Sequence, residues 1–217
     1  MLTALLIDHD GTLVNSEPCQ HQIWQAILAE YGVDFSFEAF IPRIGIPGDV
    51  TAEYLIKQYK LPVSATELAL VKEQRTNDFL LNQPFPLMPG MVELLNWAVK
   101  QKLKIAIVSG AERSSVLRSL ALHEIDDVVD LVVAGNDVKN SKPAPDAYLS
   151  AVEQLKLNPE QAIAIEDSES GIQSAKSAGL TCWAIKHDFT QVEKLKQANQ
   201  VFEHHLHILR QLAKLTK

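Results

Sequence analysis

The chain has 217 residues, of which 47% are hydrophobic, so it is long and apolar enough to form a large globular core. Its formal net charge of -7 argues against a surface for nucleic acid or for an anionic membrane, because both partners need a basic face. A small anionic ligand is compatible with this charge if a metal ion or local cations offset it.

The cysteine usage and the N-terminus favour a cytoplasmic location. Cys19 and Cys182 show neither a metal-binding spacing nor a CxxC motif, which is typical of a reducing compartment, although one disulfide is formally possible. No Lys or Arg precedes the short apolar run at the N-terminus, and no apolar run is long enough to span a bilayer. We expect neither a signal peptide nor a membrane anchor, and we expect a monomer.

Short runs of Leu, Ile, Val and Ala predict strands that are buried on both faces, as in a parallel sheet. They lie at 4–8, 104–110, 131–135, 162–167 and 182–186. Amphipathic segments with helical spacing alternate with the later runs, at 89–101, 113–121, 145–156 and 170–178. This alternation predicts a doubly wound parallel α/β sheet with right-handed crossovers, in a three-layer, Rossmann-like arrangement.

The interval between the first two strands has a different pattern, because residues 15–85 contain helix-like sequence. The helix-like segments lie at 17–32, 49–59 and 65–81, and Gly and Pro residues punctuate them. We interpret 15–85 as an inserted α-helical domain, with 1–14 and 86–217 forming the α/β domain.

Polar residues follow several of the predicted strands. Ligands of open α/β sheets collect at the carboxyl ends of the strands. The residues at these ends are Asp8, Asp10, Ser109, Gly110, Glu166 and Asp167, and Lys142 lies just before a predicted helix. Each residue alone is consistent with a turn, a helix cap, a helix start or a solvated charge. Together, acids, a hydroxyl and an amine at one sheet edge fit a divalent cation beside a phosphoryl group.

Four ordered segments resemble the motifs of the haloacid dehalogenase superfamily, in particular its phosphatase and phosphoglucomutase-like branch. They are DHDGTLVNSEP, IVSGA, SKPAPD and IEDSESG, and they span the α/β domain from end to end. The resemblance implies that the helical insertion is the mobile cap of that branch. It also implies a phosphatase that acts on a small phosphorylated metabolite, such as a sugar or polyol phosphate, through an aspartyl-phosphate intermediate.

The resemblance implies a role for each matching residue. Asp8 is similar in position to the family nucleophile. Asp10 would protonate the leaving alkoxide and then accept a proton from the attacking water. Mg²⁺ would be held by Asp8, the backbone carbonyl of Asp10 and Asp167, and Glu166 is either a further ligand or an acid behind the ligands.

The phosphate site is implied in the same way. Ser109 would hydrogen-bond a phosphoryl oxygen, and Lys142 would offset the negative charge shared by Asp8 and the phosphate. The residues expected around the phosphate are Asp8, His9, Asp10, Ser109, Gly110 and Lys142.

Several positions depart from the family pattern. His9 stands where an apolar residue is usual, and we expect a packed, neutral imidazole rather than a substrate contact. Gln20 stands at the position of the mutase histidine, and His21 is rotated from that position by about 100° on a helix. Gly48 and Glu112 stand where the mutase has its Arg and Lys for the distal phosphate. Candidate substrate contacts are Gln20, Arg43, Arg75 and Arg113.

Two alternatives stay open beside the phosphatase. One is a phosphomutase similar to beta-phosphoglucomutase. The other is a non-catalytic phosphate-sensing or phosphoacceptor module, because receiver domains also place acids, a hydroxyl and a lysine around magnesium on a parallel sheet. A receiver does not need a large insertion after its first strand, whereas an enzyme that must exclude water does.

Overall fold

The computed structural model describes residues 1–187 and 192–215, so parts of the predicted α/β domain at 188–191 and 216–217 lie outside the described residues. The chain divides into two compact units. Met1–Asn15 and Pro86–Lys217 form one, which we call the sheet unit, and Ser16–Phe85 form the other, which we call the helical unit.

A parallel sheet forms the centre of the sheet unit. Its strands within the described ranges are β1 (Ala4–Ile7), β2 (Lys104–Val108), β3 (Leu131–Val133), β4 (Ala162–Glu166), β5 (Thr181–Ile185) and β6 (Gln200–Phe202). They lie in the order β3-β2-β1-β4-β5-β6, and every neighbouring pair is parallel. The predicted Rossmann-like α/β fold is therefore confirmed. Strand β6 was missed by the sequence pattern.

The helical unit has an apolar core of its own. Its helices are α1 (Glu17–Ala29), α2 (Phe37–Phe40), α3 (Gly48–Tyr59) and α4 (Ala65–Asn82). Trp24, Phe35, Leu55 and Leu68 are buried together in one cluster of this unit. The N-terminus of α4 is fixed by a capping box between Ser64 and Glu67, which satisfies backbone N–H groups that the first turn leaves without partners.

The sheet is covered on both faces, as its apolar strands predict. The helices of the sheet unit are α5 (Met91–Lys100), α6 (Arg113–Leu122), α7 (Asp146–Gln154), α8 (Glu169–Ser177) and α9 (His205–Leu215). Leu6 is buried with Tyr148 of α7 and Ile172 of α8. Its neighbours along β1, Leu5 and Ile7, have 0% exposure although they point to the opposite face.

The chain leaves and re-enters the sheet unit at adjacent points. The Asn15 N–H donates a hydrogen bond of 2.7 Å to the Pro86 carbonyl. Beside it, Val14 and Leu87 form an antiparallel bridge. The segments that flank the helical unit are thus paired with each other. In the part of the chain that the structure covers, no helix combines the length and apolar character needed to cross a membrane.

Candidate active site

The carboxyl ends of β1, β2 and β4 bring the main candidate residues to one edge of the sheet. Ile7 of β1 lies opposite Ile107 of β2 and Ile165 of β4. The next residues along these strands therefore reach the same level, because the strands are parallel. Asp8 follows β1 directly, Ser109 follows β2, and Glu166 is the last residue of β4.

Lys142 is the central cation of this edge. Its ammonium donates to Asp8 Oδ1 at 2.5 Å, to Glu166 Oε1 at 2.6 Å and to the Val108 carbonyl at 2.9 Å. Burial of Lys142 opposes its charge, but the negative charges of Asp8 and Glu166 raise the pKa of Lys142 above its ordinary value. Lys142 is therefore positively charged at neutral pH and cross-links two acids from different strands.

The Glu166 carboxylate has donors on both oxygens. Its Oε1 accepts a hydrogen bond from the Tyr148 hydroxyl at 2.8 Å in addition to the one from Lys142. Its Oε2 accepts from the Ser168 hydroxyl at 3.2 Å. A Cβ on Gly171 would lie 2.0 Å from the Glu166 carboxyl group, so glycine is required there for space. Burial and the charge of Glu166 raise the pKa of Tyr148 well above its ordinary value, so the phenol stays a donor.

The Asp167 carboxylate is held from two sides. Its Oδ1 accepts from the Thr12 hydroxyl at 3.3 Å, and its Oδ2 lies 3.1 Å from Nε2 of His187. Gly11, with φ of 77°, approaches so closely that a Cβ there would lie 2.1 Å from Oδ2. Burial raises the pKa of Asp167, and the hydrogen bond from His187 opposes this rise.

Three carboxylates form a cluster that could hold a metal ion. Ligand atoms of Asp8, Glu166 and Asp167 lie within 4.8 Å of one another, and all three residues are buried. Burial, together with the charges of Glu166 and Asp167, raises the pKa of Asp8 well above its ordinary value, although Lys142 opposes this rise. A cation of two charges would relieve the repulsion that remains, so the residues present fit a divalent metal.

Asp10 lies near this cluster but has a different partner. Nδ1 of His9 is 3.2 Å from Asp10 Oδ2. The His9 side chain is 2% exposed, whereas that of Asp10 is 30% exposed. The two carboxylates of the DHDG motif are therefore held by different groups.

Ser109 and Gly110 lie on a loop that β3 and the residues after it support. Ser109 donates its N–H to the Val133 carbonyl at 2.9 Å, and its hydroxyl accepts from the Ala111 N–H at 3.0 Å. A Cβ on Gly135 would lie 2.2 Å from the Gly110 carbonyl oxygen, so the two backbones touch. This close packing fixes the loop that carries the Ser109 hydroxyl.

Arg113 and Glu112 begin the helix after this loop and have structural partners. The Arg113 guanidinium donates to Asp137 at 2.6 Å and to the Val132 carbonyl at 3.1 Å. Glu112 accepts from the Asn136 amide at 2.7 Å. Arg113 is thus bonded within the sheet unit, and its predicted contact with substrate stays a prediction.

The remaining candidate residues belong to the helical unit. Arg43 lies over the ring of Tyr54, 4.2 Å from its centroid. Arg75 pairs with Glu30 at 2.7 Å on an exposed surface. Gln20 lies on α1. The substrate contacts expected for these three residues stay predictions.

His21 is packed among aromatic residues of the helical unit. Its Nε2 lies 2.8 Å from the Phe35 carbonyl oxygen. Its ring is also 5.0 Å from that of Phe37 and 5.6 Å from that of Phe40. The imidazole is therefore part of the aromatic interior of the helical unit.

Sequence reasoning missed three residues that hold the site. Thr12 and His187 contact Asp167, and Tyr148 contacts Glu166. A signal existed for His187, because it comes just after β5 and the carboxyl ends of strands were the places to search. No local pattern marks Tyr148, which reads as an ordinary buried position of an amphipathic helix.

Known proteins are similar to this chain in sequence and in fold. Residues 5–185 match the family model described as haloacid dehalogenase-like hydrolase. The fructose-1-phosphate phosphatase YqaB of Escherichia coli is 30% identical over 177 residues, which cover 81% of this chain and 92% of that protein. The phosphorylated carbohydrates phosphatase of Thermotoga maritima is 27% identical over 204 residues, covering 92% and 93%.

Solved structures agree with the sequence match. The crystal structure of CbbY from Rhodobacter sphaeroides in complex with phosphate has a TM-score of 0.82 and 25% identity, and the match covers 94% of this chain and 95% of that one. The family model spans the strands that carry Asp8, Ser109 and Glu166. The chain therefore belongs to the haloacid dehalogenase-like hydrolases, the family that its four motifs predict.

Proposed function

We propose that the protein is a Mg²⁺-dependent phosphomonoester hydrolase that acts on a sugar or polyol phosphate through an aspartyl-phosphate intermediate. The observation that carries the proposal is the bonding of Asp8 and Glu166 to one buried Lys142, with Asp167 in the same carboxylate cluster. The coarser prediction, an enzyme that hydrolyses phosphoric monoesters, is confirmed by the family match and by the phosphatases among its relatives.

In the proposed reaction, Asp8 attacks phosphorus while the alkoxide leaves from the opposite side. Asp10 gives a proton to the leaving oxygen, so that the alcohol departs neutral. Asp10 then takes a proton from the water that attacks the aspartyl phosphate, and free phosphate leaves. Lys142, which donates a hydrogen bond to Asp8, offsets the charge that the phosphoryl group adds, and Ser109 supplies a hydroxyl to a phosphoryl oxygen.

Asp8, Asp167 and the backbone carbonyl of Asp10 would hold the magnesium ion. When bound, it supplies positive charge to the phosphoryl oxygens and orients the phosphate for in-line transfer. We assign Glu166 to a place behind the ligands, because both of its oxygens already accept hydrogen bonds and one of them holds Lys142.

We propose that the helical unit acts as a cap that excludes water and selects the leaving group. Its insertion directly after the segment with Asp8 and Asp10, its separate apolar core and the paired flanking segments at Asn15 and Pro86 support this role. The cytoplasmic location and the monomeric state stay predictions.

The test is a screen of phosphorylated metabolites with magnesium, measured as release of inorganic phosphate. It includes fructose 1-phosphate, because a relative of this chain is named for that substrate. We expect excess chelator to abolish turnover, Mg²⁺ to restore it, and Ca²⁺ to replace it poorly, since calcium takes a larger and looser set of ligands. Full activity in excess chelator would contradict the metal assignment.

A phosphomutase is the alternative that needs a separate test. A mutase must protect its phosphoenzyme from water and bind a bisphosphate tightly, and Gln20, Gly48 and Glu112 offer neither a proton relay nor a positive charge for this. We expect beta-glucose 1-phosphate, if it is accepted, to give free phosphate. Faster formation of glucose 6-phosphate in the presence of Mg²⁺ and catalytic bisphosphate would favour the mutase.

A further inference from the structure

The His9 imidazole is buried but makes a polar contact with only one of its nitrogens. Nδ1 lies 3.2 Å from Asp10 Oδ2, while Nε2 makes no hydrogen bond to any part of the chain that is described. The residue is 2% exposed. A buried polar atom without a partner lowers stability, and an apolar side chain would fill the same space without that loss. Packing alone therefore does not account for a histidine at this position, whereas the contact with Asp10 does.

Hydrogen bonds hold the backbone around His9, and this fixes the point from which its imidazole contacts the Asp10 side chain. The His9 carbonyl accepts from the Leu13 and Val14 N–H groups, both at 3.0 Å. The turn continues through Gly11, whose N–H donates to the Val14 carbonyl at 2.9 Å. Asp10 lies between these fixed points, and the contact with His9 restricts the rotamer of its side chain, which is 30% exposed.

We propose that His9 is a positioning residue that holds the Asp10 carboxylate in the orientation needed to protonate the leaving alkoxide. The inference rests on the proposed function, in which Asp10 is the acid of phosphoryl transfer. It gives the neighbouring acids different supports, since Lys142 holds Asp8 and His9 holds Asp10. A proton donor that is fixed in place loses less entropy on reaching the transition state.

The leaving group provides a test that a purely structural role would not satisfy. Fructose 1-phosphate releases a basic alkoxide that needs the acid, whereas p-nitrophenyl phosphate releases a phenolate that does not. The parameter kcat/KM reports the steps up to release of the alcohol or phenol. We expect His9→Phe to lower kcat/KM for fructose 1-phosphate about tenfold, which is part of the rate enhancement that general acid catalysis contributes. The loss for p-nitrophenyl phosphate should be less than about twofold, because its leaving group does not need the acid.

Two further substitutions test the position of the donor atom. The amide nitrogen of Asn can occupy the place of Nδ1, whereas that of Gln reaches further along the side chain. His9→Asn should therefore recover most of the activity towards fructose 1-phosphate, and His9→Gln should not. If His9→Phe does not fold, the comparison of His9→Asn with His9→Gln decides. Equal activities of these two variants on both substrates would overturn the inference.

The single variant Asp10→Asn and the double variant Asp10→Asn with His9→Phe separate the role of His9 from that of Asp10. Asp10→Asn should show the same dependence on leaving group with a larger loss, and adding His9→Phe to it should cause no further loss, because both act through one carboxylate. His207→Asn, at an exposed position of α9, is the matched control and should leave kcat/KM for both substrates unchanged.

The possible failures have different meanings. A wild-type enzyme that turns over neither substrate with magnesium would overturn the proposed function and this inference with it. Equal losses of kcat/KM on both substrates in Asp10→Asn would show that Asp10 is not the acid, and the role proposed for His9 would then be wrong as well. If Asp10→Asn shows the dependence on leaving group but His9→Phe loses activity equally on both substrates, the inference about His9 alone is wrong.

Discussion

The sheet unit and the helical unit differ in how deeply the ion pairs described above are buried. In the sheet unit, Lys142 and its partner Asp8 have side-chain exposures of 9% and 10%. In the helical unit, Arg75 and its partner Glu30 have side-chain exposures of 51% and 54%, and the main buried cluster consists of aromatic and aliphatic side chains. Burying charge lowers stability unless the charges are paired. Buried, perturbed charges cluster at functional sites, so the difference supports the proposal that the carboxylate cluster and Lys142 of the sheet unit take part in the reaction and that the interior of the helical unit serves folding.

The largest expected effect comes from Asp8→Asn, which tests the chemical half of this comparison. An amide of similar shape cannot attack phosphorus, so we expect hydrolysis to fall by more than about 10³-fold. The fold should survive, as judged by circular dichroism and the thermal unfolding midpoint. A folded variant with near-normal turnover would refute the assignment of Asp8 as nucleophile.

Next in size is Gly171→Ala, which tests how tightly the charges are packed. The added methyl group would lie 2.0 Å from the Glu166 carboxyl group, so Glu166 or the start of α8 must move. We expect a loss of about 1–3 kcal/mol in the free energy of unfolding, together with lower turnover, because Glu166 holds Lys142.

Gly48→Ala in the helical unit is the matched control for that substitution. No atom lies within 4 Å of a Cβ built on Gly48. The change should therefore be neutral or should stabilise by up to about 1 kcal/mol. Similar losses of stability in the two variants, measured by urea unfolding, would show that crowding at Glu166 is not the cause.

His21→Phe is expected to have a smaller effect, and it tests whether the interior of the helical unit is structural. The phenyl ring keeps the aromatic contacts but loses the hydrogen bond to the Phe35 carbonyl, at a cost of about 1 kcal/mol. Turnover should stay within about twofold of wild type. A large fall in kcat with unchanged stability would instead give His21 a part in the reaction.

Arg75→Ala should have the smallest effect of all. An exposed ion pair such as Arg75–Glu30 contributes little, so the free energy of unfolding should change by less than about 0.5 kcal/mol. Turnover of the best substrate should be unchanged. An increase in KM for anionic substrates would place Arg75 among the substrate contacts and would weaken the contrast between the units.

The fold could be predicted from sequence to the extent that its elements are buried. The strands β1, β2, β4 and β5 consist mainly of buried apolar residues and were predicted within a few residues of their bounds. Strand β6 was missed because Gln200 and Val201 are exposed and the strand is short, so no apolar run marks it. Helix α9 was also missed, although its apolar residues have helical spacing.

The candidate site was predictable where a residue follows a strand, because the topology then places that residue at the sheet edge that holds the carboxylate cluster. The pairing of Lys142 with Asp8 was expected from the family resemblance alone, since the two residues are 134 positions apart in sequence, and the bond of Lys142 to Glu166 was not predicted. Nor could the sequence pattern assign Arg113 a bond to Asp137, because an arginine at the start of a helix reads equally as a ligand contact.

The pairing of Asn15 with Pro86 has a consequence for evolution and engineering. The two residues that flank Ser16–Phe85, Asn15 and Pro86, are joined by a hydrogen bond of 2.7 Å. The inserted segment therefore begins and ends at nearly the same place on the sheet unit. Closing such a gap costs little chain entropy, so insertions of different length or sequence can be exchanged there without altering the register of the parallel strands. On the proposed role of the helical unit as a cap, selection could change which substrate this hydrolase recognises without changing the residues assigned to its reaction.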